Sequence, residues 1–433
     1  MKLEGLRVLD LSLFLPGPQL SLMMADQGAE VIKVEPPGEG EPNRHIGPRI
    51  GENSVFFRNT HRGKKSVCIN LKSPAGREAL LKLCETVDVF IEAFRPGVVD
   101  RLGIGYEAVA ARNPAIVYCS ISAFGQTGPY RNIPAHDLAT EAIAGVVSLN
   151  IGNDGEPTMP HVPVADMAAS MLALSGVMMA LYRREQTGLG DYLDISMHDS
   201  VLAWTPNITG PVFAQGRSPV PRHERSLGGS AFYNIYRTSD GRHVVLGAQE
   251  IKFVRNLLTE IGRTDLVELC ERGPGPHQAP LIELLRQWFS TRTQQEWIEW
   301  FAGRDISFAP VKTLREAFDD PQAAARGMRL VDDDEAQLLE AHIALQQPVR
   351  ADEDVHPSLG QAGPRRLPQQ VQPGLHQPPP VRHPRLLVAE GAVTPYYLGE
   401  SPPNCLSRIE GGGGVLKDHL DVAAVVKRSL LTE

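Results

Sequence analysis

Apolar residues along this chain come in short branched runs separated by amphipathic stretches. Residues 6–11 form an apolar run of strand length, and Pro16-Gly17-Pro18 interrupts it. Residues 19–27 then set Leu20, Met23 and Met24 on one helical face until Gly28 closes the pattern, and 30–35 reads as a second strand. Strand, turn, helix and strand within about thirty residues make a βαβ unit, whose strands are parallel. The pattern repeats with a strand at 66–71, a helix at 74–86 with proline in its first turn, and strands at 88–93 and 115–122. A long helix over 165–187 ends on Arg183, Arg184 and Gly188, and 192–197 is a further strand. This alternation predicts a doubly wound α/β sheet with helices on both faces.

The rhythm changes after 205. Residues 206–229, rich in Pro, Arg and Gly, read as a connection between domains. Segments 232–237 and 243–246 flank Ser239-Asp240-Gly241 and predict a β-hairpin, with helices clearest at 282–289 and 294–301. Residues 311–318 lead back toward the first domain. The expected organisation is a large domain from 1–205, a linker at 206–230, a smaller α+β domain at 231–310, a return to the large domain at 311–345, and an atypical tail at 346–433. From 346 to about 386 the chain is dense in Pro, Gln, His and Arg without apolar periodicity, too little apolar surface to offset ordering entropy. Two explanations stand: a disordered extension, or a sequence altered here, for instance by a reading-frame change, which resequencing would separate.

A chain of 433 residues is too long for one core, and 42% hydrophobic with 22% charged residues is ordinary for a globular protein. The net charge of −8 argues against nucleic acid as a partner, while leaving room for a local basic pocket. Met1-Lys2-Leu3-Glu4-Gly5 leads straight into the first strand, unlike a secretory leader, and the apolar helical run 171–181 is too short to span a membrane. Cys68, Cys84, Cys119, Cys270 and Cys405 are scattered without metal-ligand spacing, so no metal site is expected and a reducing, cytoplasmic location is. No G-x-G-x-x-G follows the first strand, which disfavours a nicotinamide dehydrogenase.

The densest candidate chemistry lies in 135–170, which opens on His136-Asp137 and closes on Asp166 before Met167-Ala168-Ala169. An imidazole and a carboxylate each fall at a helix start, and a helix N-terminus favours an ionised carboxylate. The plainer reading makes Asp166 an N-cap and Asp137 the cap beside His136. Glu250 follows the hairpin and reads equally as a solvated first-turn carboxylate. His198-Asp199 and the alternating Tyr233, Tyr236 and Arg237 read as structural. Arg58, Arg62, Lys64, Lys65, Lys72, Arg95 and Arg101 crowd the strand–helix junctions, where they suit phosphate groups or simply a solvated surface.

In combination, GLRVLDLS followed by PGP, MMADQGAEVIKVEPPG, RGKKSVCINLKSPAGRE, DVFIEAFRPGVVDRLG, NPAIVYCSISAFGQTGPY, YRREQTGLGDYLDISMHDS and FYNIYRTSDGRHVVLGAQE resemble the class III CoA-transferase family, which includes the α-methylacyl-CoA racemases. The similarity runs from Leu3 to about Met328. It implies a Rossmann-like large domain built from both ends of the chain, a small middle domain, and a homodimer of interlocked rings. It also implies CoA entering as part of an acyl-CoA substrate, with no permanently bound cofactor. Ile69, Asn70, Leu71, Lys72, Ala93, Phe94, Arg95, Arg101 and the turn from Ile133 to Asp137 match CoA-contacting positions, while Pro36 stands where some transferases carry arginine.

The resemblance gives Asp166 the place of the transferase nucleophile, and His136, Asp166 and Glu250 the places of racemase acid–base residues. The imidazole tips the reading toward 1,1-proton transfer at the α-carbon of an acyl-CoA. Ala139-Thr140 and Met167-Ala168 depart from the racemase pattern and keep CoA transfer open. A catalytically impaired CoA-binding protein is the remaining alternative.

Overall fold

The computed structural model describes residues 1–325 and the pair 396–397. The strands are β1 (Arg7–Asp10), β2 (Glu30–Glu35), β3 (Arg49–Ile50), β4 (Asn53–Ser54), β5 (Lys65–Cys68), β6 (Val89–Glu92), β7 (Val117–Ser122), β8 (Asp191–Ser196), β9 (Tyr233–Arg237), β10 (His243–Gly247), β11 (Phe308–Pro310) and β12 (Tyr396–Tyr397). The main sheet runs β12-β5-β2-β1-β6-β7-β8, parallel except for β12, which pairs antiparallel with β5. The chain builds outward from β1 through β2 to β5, then returns to lay β6 against the other side of β1. The carboxyl ends of β1 and β6 therefore meet at a switch point, where open α/β sheets leave a crevice.

Helices α1 (Pro16–Ala25), α2 (Val55–His61), α3 (Pro74–Cys84), α4 (Val98–Leu102), α5 (Tyr106–Ala110), α6 (Asp137–Ile143), α7 (Val164–Thr187) and α8 (Met197–Ala203) flank it. Alternate strand residues point to opposite faces. Val8, Val31, Val89, Ile91, Val117 and Cys119 pack with Leu20 and Met24 of α1 and Ala169, Ala173 and Val177 of α7. Leu9, Val34, Phe90 and Tyr118 pack on the other face with Leu80 and Leu83 of α3 and with Val99 and Val109.

Helix α1 starts at Pro16, earlier than the pattern predicts. Proline at a first helical position loses only an amide hydrogen that would lack a partner anyway. Gly17 is dictated by space, since a Cβ there would stand 2.2 Å from the Ser12 side chain.

A second core is built on the antiparallel sheet β11-β10-β9, with Phe232, Tyr236, Val244 and Leu246 against Leu281, Leu285, Phe289 and Trp297. The hairpin and the helices Ala279–Phe289 and Gln294–Phe301 match the expected pattern. Additional elements include the short helix Val267–Glu271 and two others whose signals were obscured. Helix Ile251–Glu260 hides its buried stripe, Val254, Leu257 and Leu258, among polar residues, and β11 carries a proline that reads against a strand.

The run 171–181 is the middle of α7, a helix of 24 residues with an 18-residue stretch of mean hydropathy 1.7, long and apolar enough by length and composition to cross a bilayer. The expectation that it is too short is corrected; one side of the helix is packed on the sheet and α1. The short helices Leu314–Phe318 and Pro321–Ala325 follow β11. The expectations for the end of the 311–345 segment and for the tail, apart from β12, lie outside the described residues.

Candidate active site

The site is made where two helices begin side by side. Asp166 is not the cap of α7: the helix opens at Val164, so Asp166 is its third residue, and Pro163 at the cap position offers no side-chain acceptor. The acceptors come from α6. Glu141 Oε1 accepts the Val164 amide at 3.0 Å and also takes the Ala165 amide, while Asp137 Oδ1 accepts the Asp166 amide at 3.1 Å. Three free donors of α7 are thereby consumed by two carboxylates, which offset the positive end of its dipole.

The electrostatic consequence runs against the sequence-based expectation that the helix start favours the ionised form of Asp166. Burial, then the carboxylates of Asp137 and Glu141, push its carboxyl up to about 7. Burial and Asp137 raise Glu141 as well. Around Asp166, Ala165, Ala168 and Ala169 are fully buried and leave little side-chain bulk on this turn. Ser170 Oγ donates to the Pro16 carbonyl at 2.8 Å, fixing this end of α7 to the start of α1 beside the switch point.

His136 sits at the cap position of α6 with extended backbone, makes no capping bond and is exposed. Asp137, expected as the cap beside it, is instead the first helical residue, with its carboxylate turned to α7. The His136 ring stands perpendicular to that of Phe14, 5.9 Å between centroids. The structure thus brings His136, Asp137 and Asp166 to one junction. Glu250 is exposed at the cap of Ile251–Glu260 in the second core, and no side-chain bond or ion pair joins it to them among the described residues.

The residues matched to CoA contacts lie at carboxyl ends of the parallel strands. Ile69, Asn70, Leu71 and Lys72 turn out of β5, Ala93, Phe94 and Arg95 leave β6, Arg101 is on α4, and exposed Ile133 precedes α6. Ile69 gives its side chain to the core, and Asn70 Oδ1 accepts the Lys72 amide at 3.1 Å. The basic group divides. Lys64 is fully buried, 3.3 Å from Asp10 and donating to the Pro18 carbonyl at 2.8 Å, so it is withdrawn from any phosphate. Lys65 pairs with Glu30 and Arg62 with Asp26. Lys72, Arg95 and Arg101 are exposed and carry no ion pair among the described residues.

Sequence reasoning passed over Phe14 and the buried charges Asp10, Lys33 and Glu41 that cluster with Lys64. The cluster had a signal: Asp10 stands between the apolar Leu9 and Leu11 and Lys33 between Ile32 and Val34, and a charge in a buried strand requires a partner. Phe14 had none, since nothing in the pattern separates it from Leu13 or Leu15.

A family model described as CoA-transferase family III matches residues 3–363. Acetyl-CoA:oxalate CoA-transferase from Acetobacter aceti is 34% identical over 332 residues, 75% of this chain and 84% of that protein. Human alpha-methylacyl-CoA racemase is 33% identical over 331 residues, 76% of this chain and 82% of that protein. A crystal structure of a CAIB/BAIF family protein from Brucella suis aligns with a TM-score of 0.66 at 30% identity, over 75% of this chain and 88% of that one. The matched span contains the switch point, both helix starts and the second core; the chain belongs to CoA-transferase family III, a family of enzymes.

Proposed function

We propose that this protein transfers CoA from an acyl-CoA donor to a free carboxylic acid, with Asp166 as the nucleophile. The observation that carries the reading is the Asp166 carboxyl itself, half-buried among alanines and raised to about 7. Near neutral pH such a group is substantially ionised yet far more basic than an ordinary aspartate, and basicity in a partly desolvated site favours attack on a thioester. Several CoA-transferases stand beside a racemase among the relatives, which supports transfer over the proton-transfer chemistry that His136 first suggested.

The Asp166 carboxylate attacks the donor thioester carbonyl, the C–S bond breaks, and CoA leaves as thiolate. The thiolate attacks the aspartyl carbonyl of the mixed anhydride, releasing the donor acid and leaving an aspartyl-CoA thioester. The acceptor carboxylate attacks that carbonyl, and the freed thiolate takes the acceptor acyl group, restoring Asp166. In this reading CoA is substrate, not resident cofactor. Lys72, Arg95 and Arg101 are the cations available to its phosphates, with the turns 69–72 and 93–95 along its path. His136, exposed and free of capping duty, faces the reacting thioester.

A homodimer belongs to the same proposal. The solvent side of α7 exposes Met171, Met179 and Tyr182 at helical spacing, and a stripe of that length asks for a protein surface. One protein preparation tests the chemistry. A labelled acid incubated with acyl-CoA is expected to acquire CoA, and Asp166→Asn to abolish the exchange. Exchange that survives Asp166→Asn overturns the reading.

Racemisation is the second reading, favoured by the bond that joins the His136-Asp137 turn to Asp166. It predicts deuterium uptake at the α-carbon from deuterated water, severely slowed by His136→Ala. Tight CoA binding with neither exchange nor uptake would instead mark an impaired CoA-binding protein.

A further inference from the structure

The loop from β1 to α1 carries backbone strain, and it does so at a phenylalanine. Phe14 has φ 64°, and among the described residues only Arg222 is another non-glycine with positive φ. A bulky side chain is rarely found there, and such a conformation persists only where its surroundings dictate it. Here they do. The Phe14 amide donates to Glu41 Oε1 at 2.9 Å, Asn43 Nδ2 donates to the Phe14 carbonyl, and Lys33 Nζ donates to the Ser12 carbonyl. Glu41, Asn43 and Lys33 are all fully buried, and Lys33 Nζ lies 3.5 Å from Glu41 Oε2 and 3.6 Å from Asp10 Oδ1. Behind them the Glu41 amide donates to Glu35 at 2.8 Å, and Arg44 grips both oxygens of Glu35 at 2.8 and 2.7 Å.

A scaffold of buried charges thus ends on two residues of a surface loop. What it presents is a ring 39% exposed, set edge-on against the imidazole of His136. Burying ions is a poor way to gain stability, and a half-exposed phenylalanine gains little from packing, so the arrangement is unexplained by the fold alone. His136 for its part caps nothing and makes no side-chain hydrogen bond among the described residues. The Phe14 ring stands edge-on to it on this side.

We propose that Phe14 is a positioning residue that orients His136 toward the reacting thioester, and that Glu41 and Lys33 act on the site through Phe14. This rests on the reading that His136 faces the thioester, and the test separates the two. In Phe14→Gly, kcat is expected to fall about 10- to 100-fold with KM within about threefold, the scale on which misplaced groups slow reactions. Its melting temperature should hold or rise, because glycine accepts the left-handed backbone. Phe14→Tyr should restore kcat to within about threefold, and Glu41→Gln should lose roughly 3- to 10-fold.

The ring-current shift of the His136 imidazole in NMR spectra should disappear in Phe14→Gly, whatever the activity. Full kcat in Phe14→Gly while His136→Ala is inactive overturns the positioning and leaves the reading of His136 standing. Full activity of His136→Ala removes that reading. The positioning falls with it, and an unchanged NMR shift in Phe14→Gly overturns it independently, since the two rings would then not be in contact.

Discussion

Asp166 shows how a helix start can raise a carboxyl instead of lowering it. The dipole argument assumes free amides, and here Asp137 and Glu141 have taken them. With the group at about 7, kcat/KM is expected to rise about tenfold per pH unit below neutrality and flatten above it. A flat profile from pH 5 to 8 would deny Asp166 its role. Glu141→Gln keeps an acceptor for the Val164 amide but removes a neighbouring charge, so the acid limb of the profile should move to lower pH. Stability carries the same signature. An unfolded aspartate releases its proton near pH 4, before the folded one at about 7, so the fold loses stability as pH rises between these values. Asp166→Asn should therefore stabilise the protein at pH 8 by on the order of 1–2 kcal/mol and not below pH 4, read by denaturant unfolding. Asp166 was legible as a candidate because a carboxylate before a run of small residues is visible in one dimension. Its protonation was not, because Glu141 is 25 positions away and looked like any helical glutamate.

Among the elements, β1 and β2 do two jobs, closing the sheet and carrying the charges that shape the loop above it. Asp10 accepts from Ser12 and Ser21 and pairs with Lys33 and Lys64, and those two lysines hold it far below the ordinary carboxylate range against the cost of burial. Asp10→Asn leaves two buried cations short of their partner and should cost about 3–5 kcal/mol, seen as a lower denaturation midpoint. A loss below about 1 kcal/mol would mean the cluster is loosely built or wet. The parallel strands and the helices α3 and α7 were readable within a few residues because apolar periodicity is local, while the order of strands in the sheet was not. The early start of α1 and helix Ile251–Glu260 were harder, the first begun by residues that look like breakers and the second obscured by Lys252, Arg255 and Asn256.

For the whole molecule, the sequence carried the α/β class and the family resemblance, because those rest on the order and spacing of many segments. It did not carry which residues meet. The resemblance gave Glu250 a catalytic position, yet it stands exposed in the second core, and among the described residues no side-chain bond joins it to Asp166 or His136. If the exposed stripe of α7 joins two chains, Met179→Glu should lower the sedimentation coefficient from dimer to monomer, and an unchanged dimer would place the contact elsewhere. The central claim is that Asp166 becomes covalently acylated during turnover. Protein mixed with acyl-CoA, quenched with hydroxylamine and digested should yield a peptide bearing a hydroxamate at Asp166, absent when acyl-CoA is omitted. Continued CoA exchange with no modification at Asp166 would contradict the account.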